Sequence, residues 1–155
     1  MNVAPENDYL AVEAHLVARL KEKLAGMSPA VHVLTAADLA DVAEANQPVP
    51  AVHVIYRNFR VLESRSDGRL AKLDHTWLAV TATRNVGGNR SGAAARRDAS
   101  QLMAKVGAAL MGFRAPLTSS PMRLTPGPGP GYKAGYQYLP LAFLVETHFH
   151  ATTTP

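Results

Sequence analysis

The chain is 155 residues long, 47% hydrophobic and 18% charged, with no cysteine and a net charge of +4. A chain of this length makes one domain and can bury roughly two-thirds of its unfolded surface. Near-neutral mean hydropathy argues against a disordered chain and a membrane protein, and without thiols there is no disulfide framework, thiolate metal site or cysteine nucleophile, which fits a reducing compartment.

The first residues, Met1 to Asp8, have neither the basic region nor the apolar core of a signal peptide. Asn7 or Asp8 is placed to cap a first helix running to about Ala25. Tyr9, Val12, Leu16, Leu20, Leu24 and Met27 recur at three- and four-residue steps, one apolar stripe on a helical period. Gly26 marks its stop. A β-branched run, Val31 to Leu34, follows. Thr35 then caps a second helix over Ala36 to Ala45, with Asp38, Asp41 and Glu44 as an acidic face, and Pro48 and Pro50 close the unit.

Two long β-patterned segments come next, Ala51 to Arg65 and Leu70 to Arg84, joined by Ser66-Asp67-Gly68-Arg69. Asp-Gly between alternating segments is a strong hairpin signal, because a two-residue turn needs positive φ and glycine supplies it. Each arm would reach roughly 50 Å if fully extended, whereas a domain of this size has a radius of gyration of roughly 15 Å. The tip is therefore expected to project beyond the body, as in a protein built to bind a neighbour. Asn85 to Gly92 reads as a flexible loop. A third helix is expected from about Ala93 to Met111, its stripe formed by Ala99, Leu102, Met103, Val106, Leu110 and Phe113, with Gly112 as terminator.

Leu117 to Gly135 is rich in proline and glycine, with a short strand around Met122-Arg123-Leu124 and an irregular loop after it. A last strand covers Tyr136 to Phe149, with Leu141, Phe143, Val145 and Phe149 on one face, before a frayed tail at 151–155. The longest apolar run, Leu139 to Val145, is broken by Pro140 and falls well short of the roughly 18 residues of a spanning helix. This order predicts one α+β domain: a mainly antiparallel sheet with a long β-hairpin, packed by two or three helices on one side.

Charge is segregated along the chain. Residues 1–50 hold seven acids and three bases, whereas residues 51–114 hold four acids and eleven bases. Such a split suits nucleic acid, or one acidic and one basic surface that meet between copies. Head-to-tail contact between identical subunits needs two unlike patches, and it closes into a ring when the rotation permits.

Signals for chemistry are weak. His148 and His150 share a strand face, but no third ligand stands at a recognisable spacing, and a solvated strand end is the simpler reading. His15, His32, His53 and His75 are isolated and read as structural. Gly127-Pro128-Gly129-Pro130-Gly131-Tyr132-Lys133 is no phosphate cradle, since proline lacks the N–H groups that such a loop points at its anion. No serine stands in a nucleophile elbow. Arg57, Arg60, Arg65, Arg69, Lys72, Arg84, Arg90, Arg96 and Arg97 favour a basic nucleic-acid-binding module as the alternative reading, without a helix-turn-helix, zinc module or aromatic platform beside them.

In element order and size the chain resembles the small tail-terminator (tail-completion) proteins of long-tailed bacteriophages, including those of Mu-like prophages. The likeness rests on the hairpin segments Val52-His53-Val54-Ile55-Tyr56 and Trp77-Leu78-Ala79-Val80-Thr81, the helix Ala93–Met111 and the ending Tyr138-Leu139-Pro140-Leu141-Ala142-Phe143. The resemblance implies a structural virion protein without catalytic residues, metal or cofactor. It also implies a homo-oligomeric ring, usually of six copies, that caps the tail tube, stops its polymerisation and offers a head-docking surface. The implied partners are other copies of the chain, the tail tube protein and a head-completion or connector protein, with DNA passing through the ring lumen and no membrane involved. Combined with the charge split, it places the subunit and partner interface on Arg57, Phe59, Arg60, Arg65, Asp67, Arg69 and Lys72 of the hairpin and on Asp38, Asp41 and Glu44 of the second helix. The Pro/Gly-rich loop 126–131 matches no standard part of that family.

Overall fold

The computed structural model describes residues 3–84 and 92–152, apart from the side chains of residues 92–95. The loop expected over Asn85 to Gly92 lies outside them, except that Gly92 opens a helix. A 3-10 turn at Pro5–Asn7 precedes the first helix, α1, Glu13–Lys23. The start is later than expected because Asp8 is used locally: its carboxylate accepts the Leu10 N–H at 2.9 Å, a turn-forming bond rather than a helix cap. Of the apolar stripe, Val12, Leu16, Leu20 and Leu24 are buried as read, whereas Tyr9 is exposed ahead of the helix and Met27 is only partly buried. Full burial of each such side chain is worth about 1.5–3 kcal/mol.

Strand β1, His32–Thr35, leads into a second helix, α2, Ala36–Ala40. Thr35 caps it as expected, in a reciprocal box: its hydroxyl accepts the Asp38 N–H while Asp38 Oδ2 accepts the Thr35 N–H at 2.8 Å. The helix is only half the expected length. Leu39 is its lone large apolar side chain, too little to hold a longer helix on the body, and the chain turns at Asp41 before a separate 3-10 turn at Glu44–Asn46. The three acids therefore do not form one helical face.

The hairpin consists of β2, Ala51–Ser64, and β3, Leu70–Arg84. Its turn is longer than two residues. The Arg65 N–H donates to the Leu70 carbonyl at 2.9 Å and the Gly68 N–H to the Arg65 carbonyl at 2.8 Å, leaving a four-residue loop with Gly68 at φ +69°. Helix α3, Gly92–Leu110, is followed by the short strands β4, Arg123–Thr125, and β5, Gly131–Lys133, and by β6, Tyr136–His150. The sheet runs β1-β2-β3-β6-β4, with β5 also on β6; β1–β2 is parallel and every other pair antiparallel. The fold is α+β, as the sequence predicts.

Helices α1 and α3 cover one face of this sheet. Val52, Val54, Trp77, Ala79, Phe143 and Val145 meet Leu16, Leu20, Leu102, Val106 and Leu110 there. A Cβ on Gly107 would stand 3.2 Å from Leu141 Cδ1, so the missing side chain lets α3 approach β6 closely. The opposite face is covered at its base: Tyr136 donates its hydroxyl to the Ala45 carbonyl at 3.1 Å, and Gln47 Nε2 donates to the Tyr138 hydroxyl at 3.2 Å. The Pro/Gly-rich loop joins that cover, because a Cβ on Gly127 would fall 2.9 Å from Ala142 Cβ.

The hairpin does not project as two bare arms. Strand β6 equals β3 in length and pairs along all of it, from Leu70 opposite His150 to Arg84 opposite Tyr136. The distal part is thus a three-stranded blade whose middle strand buries Leu73, Asp74 and His75. Within this blade the distal part of β2 stands free of the core: every residue from Arg57 to Ser64 is exposed.

Candidate subunit and partner interface

Strand β2 meets two environments along one edge. Ala51 to Val54 pair with β1, residue for residue. Thr35 then begins α2, the chain leaves the edge, and from Ile55 onward the outer N–H and C=O groups of β2 have no backbone partner among the described residues. The register with β3 slips at Arg57 and again at Leu62. Such bulges twist a strand and limit how far a free edge can pair. Phe59, Val61 and Leu62 are 42%, 57% and 40% exposed, an unusual concentration of apolar side chains beside arginines.

On the helix side of the blade Tyr9 sits over Phe59 (ring centres 5.1 Å apart), His75 (5.4 Å) and Phe149 (5.8 Å), tying the N-terminal segment to the blade. Beneath it, His75 Nδ1 lies 3.0 Å from the Tyr56 hydroxyl and Nε2 lies 2.9 Å from Thr147 Oγ1. Burial pushes the His75 imidazole below its ordinary value and the Tyr56 phenol above its own.

The opposite side carries an ion network. Asp74 is fully buried, with Arg60 Nη2 at 3.2 Å from one carboxylate oxygen and Arg123 Nη2 at 2.7 Å from the other. Glu146 accepts from Ser119 Oγ at 2.8 Å and lies 3.5 Å from Lys72 Nζ. At the turn, Arg65 forks onto Asp67, with Nε 2.9 and 3.0 Å from the two oxygens, and Asp67 Oδ1 accepts the Arg69 N–H at 2.9 Å. This pairing holds the Asp67 carboxyl below its usual range and raises the guanidinium of Arg65.

The residues singled out from sequence thus separate. Arg57, Phe59 and Arg60 lie together on β2. Arg60, Arg65 and Lys72 are already ion-paired within the chain, and the Arg69 side chain reaches the Thr152 carbonyl at 3.4 Å. Arg57 has no partner among the described residues. Asp38 is engaged in its capping box, which lowers its carboxyl. Asp41 is exposed nearby, whereas Glu44 lies apart, 3.5 Å from Lys133. Sequence reasoning missed Tyr9 as a blade contact, and Asp74, Arg123 and Glu146 as a network. The available signal was Asp74 itself, an acid sharing strand parity with Leu70, Leu78, Val80 and Ala82.

Other features offer less chemistry. His148 and His150 have ring centres 6.5 Å apart, and among the described residues no three histidine, aspartate or glutamate side chains are grouped to hold a metal ion. A cleft of about 470 Å³ opens beside the middle of α3, where Met27, Val31 and Pro50 face Arg84, Gln101 and Lys105. No described helix is long and apolar enough to cross a membrane.

The exposed, charged and partly apolar edge of β2 is thus the main candidate for contact with another macromolecule. The phage tail terminator protein family matches residues 6–154. The chain belongs to that family. It is accordingly a phage tail structural protein and a virion component that works with other parts of the tail and head. No curated protein matches it.

Proposed function

We propose that this protein is a non-enzymatic terminator that closes into a homo-oligomeric ring, of six copies by analogy with its family, on the end of the tail tube. In that position the ring stops tube growth, offers a docking surface to a head-completion or connector protein and leaves a lumen for DNA. The family match over nearly the whole chain carries the reading. The two sides of the sheet support it, because they are unlike. The outer edge of β6 is taken up by β5, by β4, by the Ser119 N–H on the Glu146 carbonyl and by Asn7, which bonds both His150 backbone groups at 2.8 Å. The outer edge of β2 is open. Unlike sides suit head-to-tail rather than two-fold contact.

Because Arg60, Arg65 and Lys72 already have acidic partners within the chain, they are less available to phosphates than the sequence suggests, which counts against the nucleic-acid-binding alternative. Native mass spectrometry and negative-stain electron microscopy of the purified protein, alone and with tube protein, test the proposal. Closed rings are expected in at least one condition. A strictly monomeric species in both would overturn it.

A further inference from the structure

We infer that the free edge of β2 between its two bulges is a berth for an extended segment of another tail protein, one that alternates apolar and acidic residues. This rests on the tail-assembly reading above and names the chemistry of one partner contact. β1 fills four residues of the β2 edge, Ala51 to Val54. Beyond it the same edge offers a second regular stretch of four, Asn58 to Val61, bounded by the register slips at Arg57 and Leu62. The slips prevent long, flat pairing while leaving room for a short strand placed end to end with β1. Strand addition of this kind takes its affinity from backbone hydrogen bonds and its selectivity from alternate side chains.

Those side chains define the guest. Phe59 and Val61 share the face on which Phe59 meets Tyr9, as their opposition to His75 and Leu73 shows. They present apolar surface to every second guest residue. Arg60 lies on the other face, with its guanidinium at the Asp74–Arg123 network and its side chain still 64% exposed. Arg57, at the bulge, has no acid of its own. Arg60, Lys72 and Arg123 share only two carboxylates, Asp74 and Glu146, so this face keeps a positive excess to which Arg57 adds, and the guest residues between the apolar ones are matched by carboxylates.

A second copy of the chain is the poorer guest for Asn58 to Val61, so the head-to-tail contacts of the proposed ring use the remainder of the two unlike sides. Among the described residues, the strands left open at other edges are β1, which has no charged residue, and β4 and β5, which carry Arg123 and Lys133. Glu63, the only acid on β2, lies beyond the second bulge.

The test uses the full chain and two synthetic eight-residue peptides, one alternating valine with glutamate and one alternating valine with lysine. Hydrogen–deuterium exchange reports backbone protection on β2. The glutamate peptide is expected to protect Asn58 to Val61, the lysine peptide to protect at least tenfold less, and Arg57→Glu with Phe59→Ser to weaken the glutamate peptide about tenfold. Both substituted side chains are exposed, and the melting temperature of the variant checks that it is folded. Equal protection by both peptides, protection elsewhere or none, or protection that rises with protein concentration without peptide would each overturn the inference. Ring formation is read separately by native mass spectrometry, so failure of the berth leaves the ring proposal standing or falling on its own.

Discussion

Asp74 shows how one buried acid organises its surroundings. A carboxylate with no solvent contact persists only if cations and donors satisfy it, and here Arg60 supplies one from the adjacent β2 and Arg123 another from β4, beyond β6. Either arginine can hold Asp74 alone, so Arg60→Ala or Arg123→Ala is expected to cost about 1 kcal/mol or less. Removing both leaves the charge unpaired, and the double variant should lose about 3–5 kcal/mol. Urea titration of the three variants checks this; additive losses would show that the arginines do not share Asp74. Arg57 is different. It sits in no internal pair, so Arg57→Glu should leave the urea midpoint unchanged within error while weakening assembly with tube protein. Reversing Arg60 could not separate those effects, since a glutamate there would face Asp74.

At the scale of elements, glycine positions make a paired prediction. The Pro/Gly-rich loop lies on Ala142 through Gly127, while the space around Gly129 is open. Gly127→Ala should destabilise by about 1–3 kcal/mol through overpacking, and Gly129→Ala should not. Thermal melts of the two variants decide; equal melting temperatures would mean that the loop does not rest on the sheet. Composition marks this segment only as an irregular loop, because proline and glycine content reports backbone stiffness and not what the backbone touches. Helices α1 and α3 were legible for the opposite reason: Leu16, Leu20, Leu102 and Val106 mark one continuous face. α2 was overread because Thr35-x-x-Asp38 fixes where a helix starts and says nothing of where it ends. The hairpin itself was legible in Asp67-Gly68 and the alternation around it. The last strand was legible too, but not its place beside the hairpin, since pairing between residues some eighty positions apart, as Leu70 and His150 are, leaves no local pattern.

Across the whole molecule, pH should report the two buried histidines. Burial depresses both His53 and His75 below the ordinary imidazole value. Unfolded imidazoles take up protons below about pH 6.5 while the folded rings hold out to lower pH, so the unfolded chain binds more protons. Stability therefore falls as pH drops from about 7 to 5. Urea midpoints across that range should decline, and His75→Gln should reduce the slope; a flat profile would place both rings in contact with solvent. Of the candidate interface, the β2 arm was visible in sequence as arginines beside Phe59. Which of those cations remain available depended on acids: Asp67 takes Arg65 within the turn, whereas Asp74 and Glu146 take Arg60 and Lys72 only once the strands lie side by side.

Tube growth measures the proposed role most directly. Purified tube protein is allowed to polymerise with and without substoichiometric amounts of this chain, and tube lengths and ends are scored by electron microscopy. A ring that caps the tube gives short tubes bearing extra density at one end and no further elongation when fresh tube protein is added. Tubes of unchanged length with bare ends, under conditions where the chain is folded, would contradict termination by this protein.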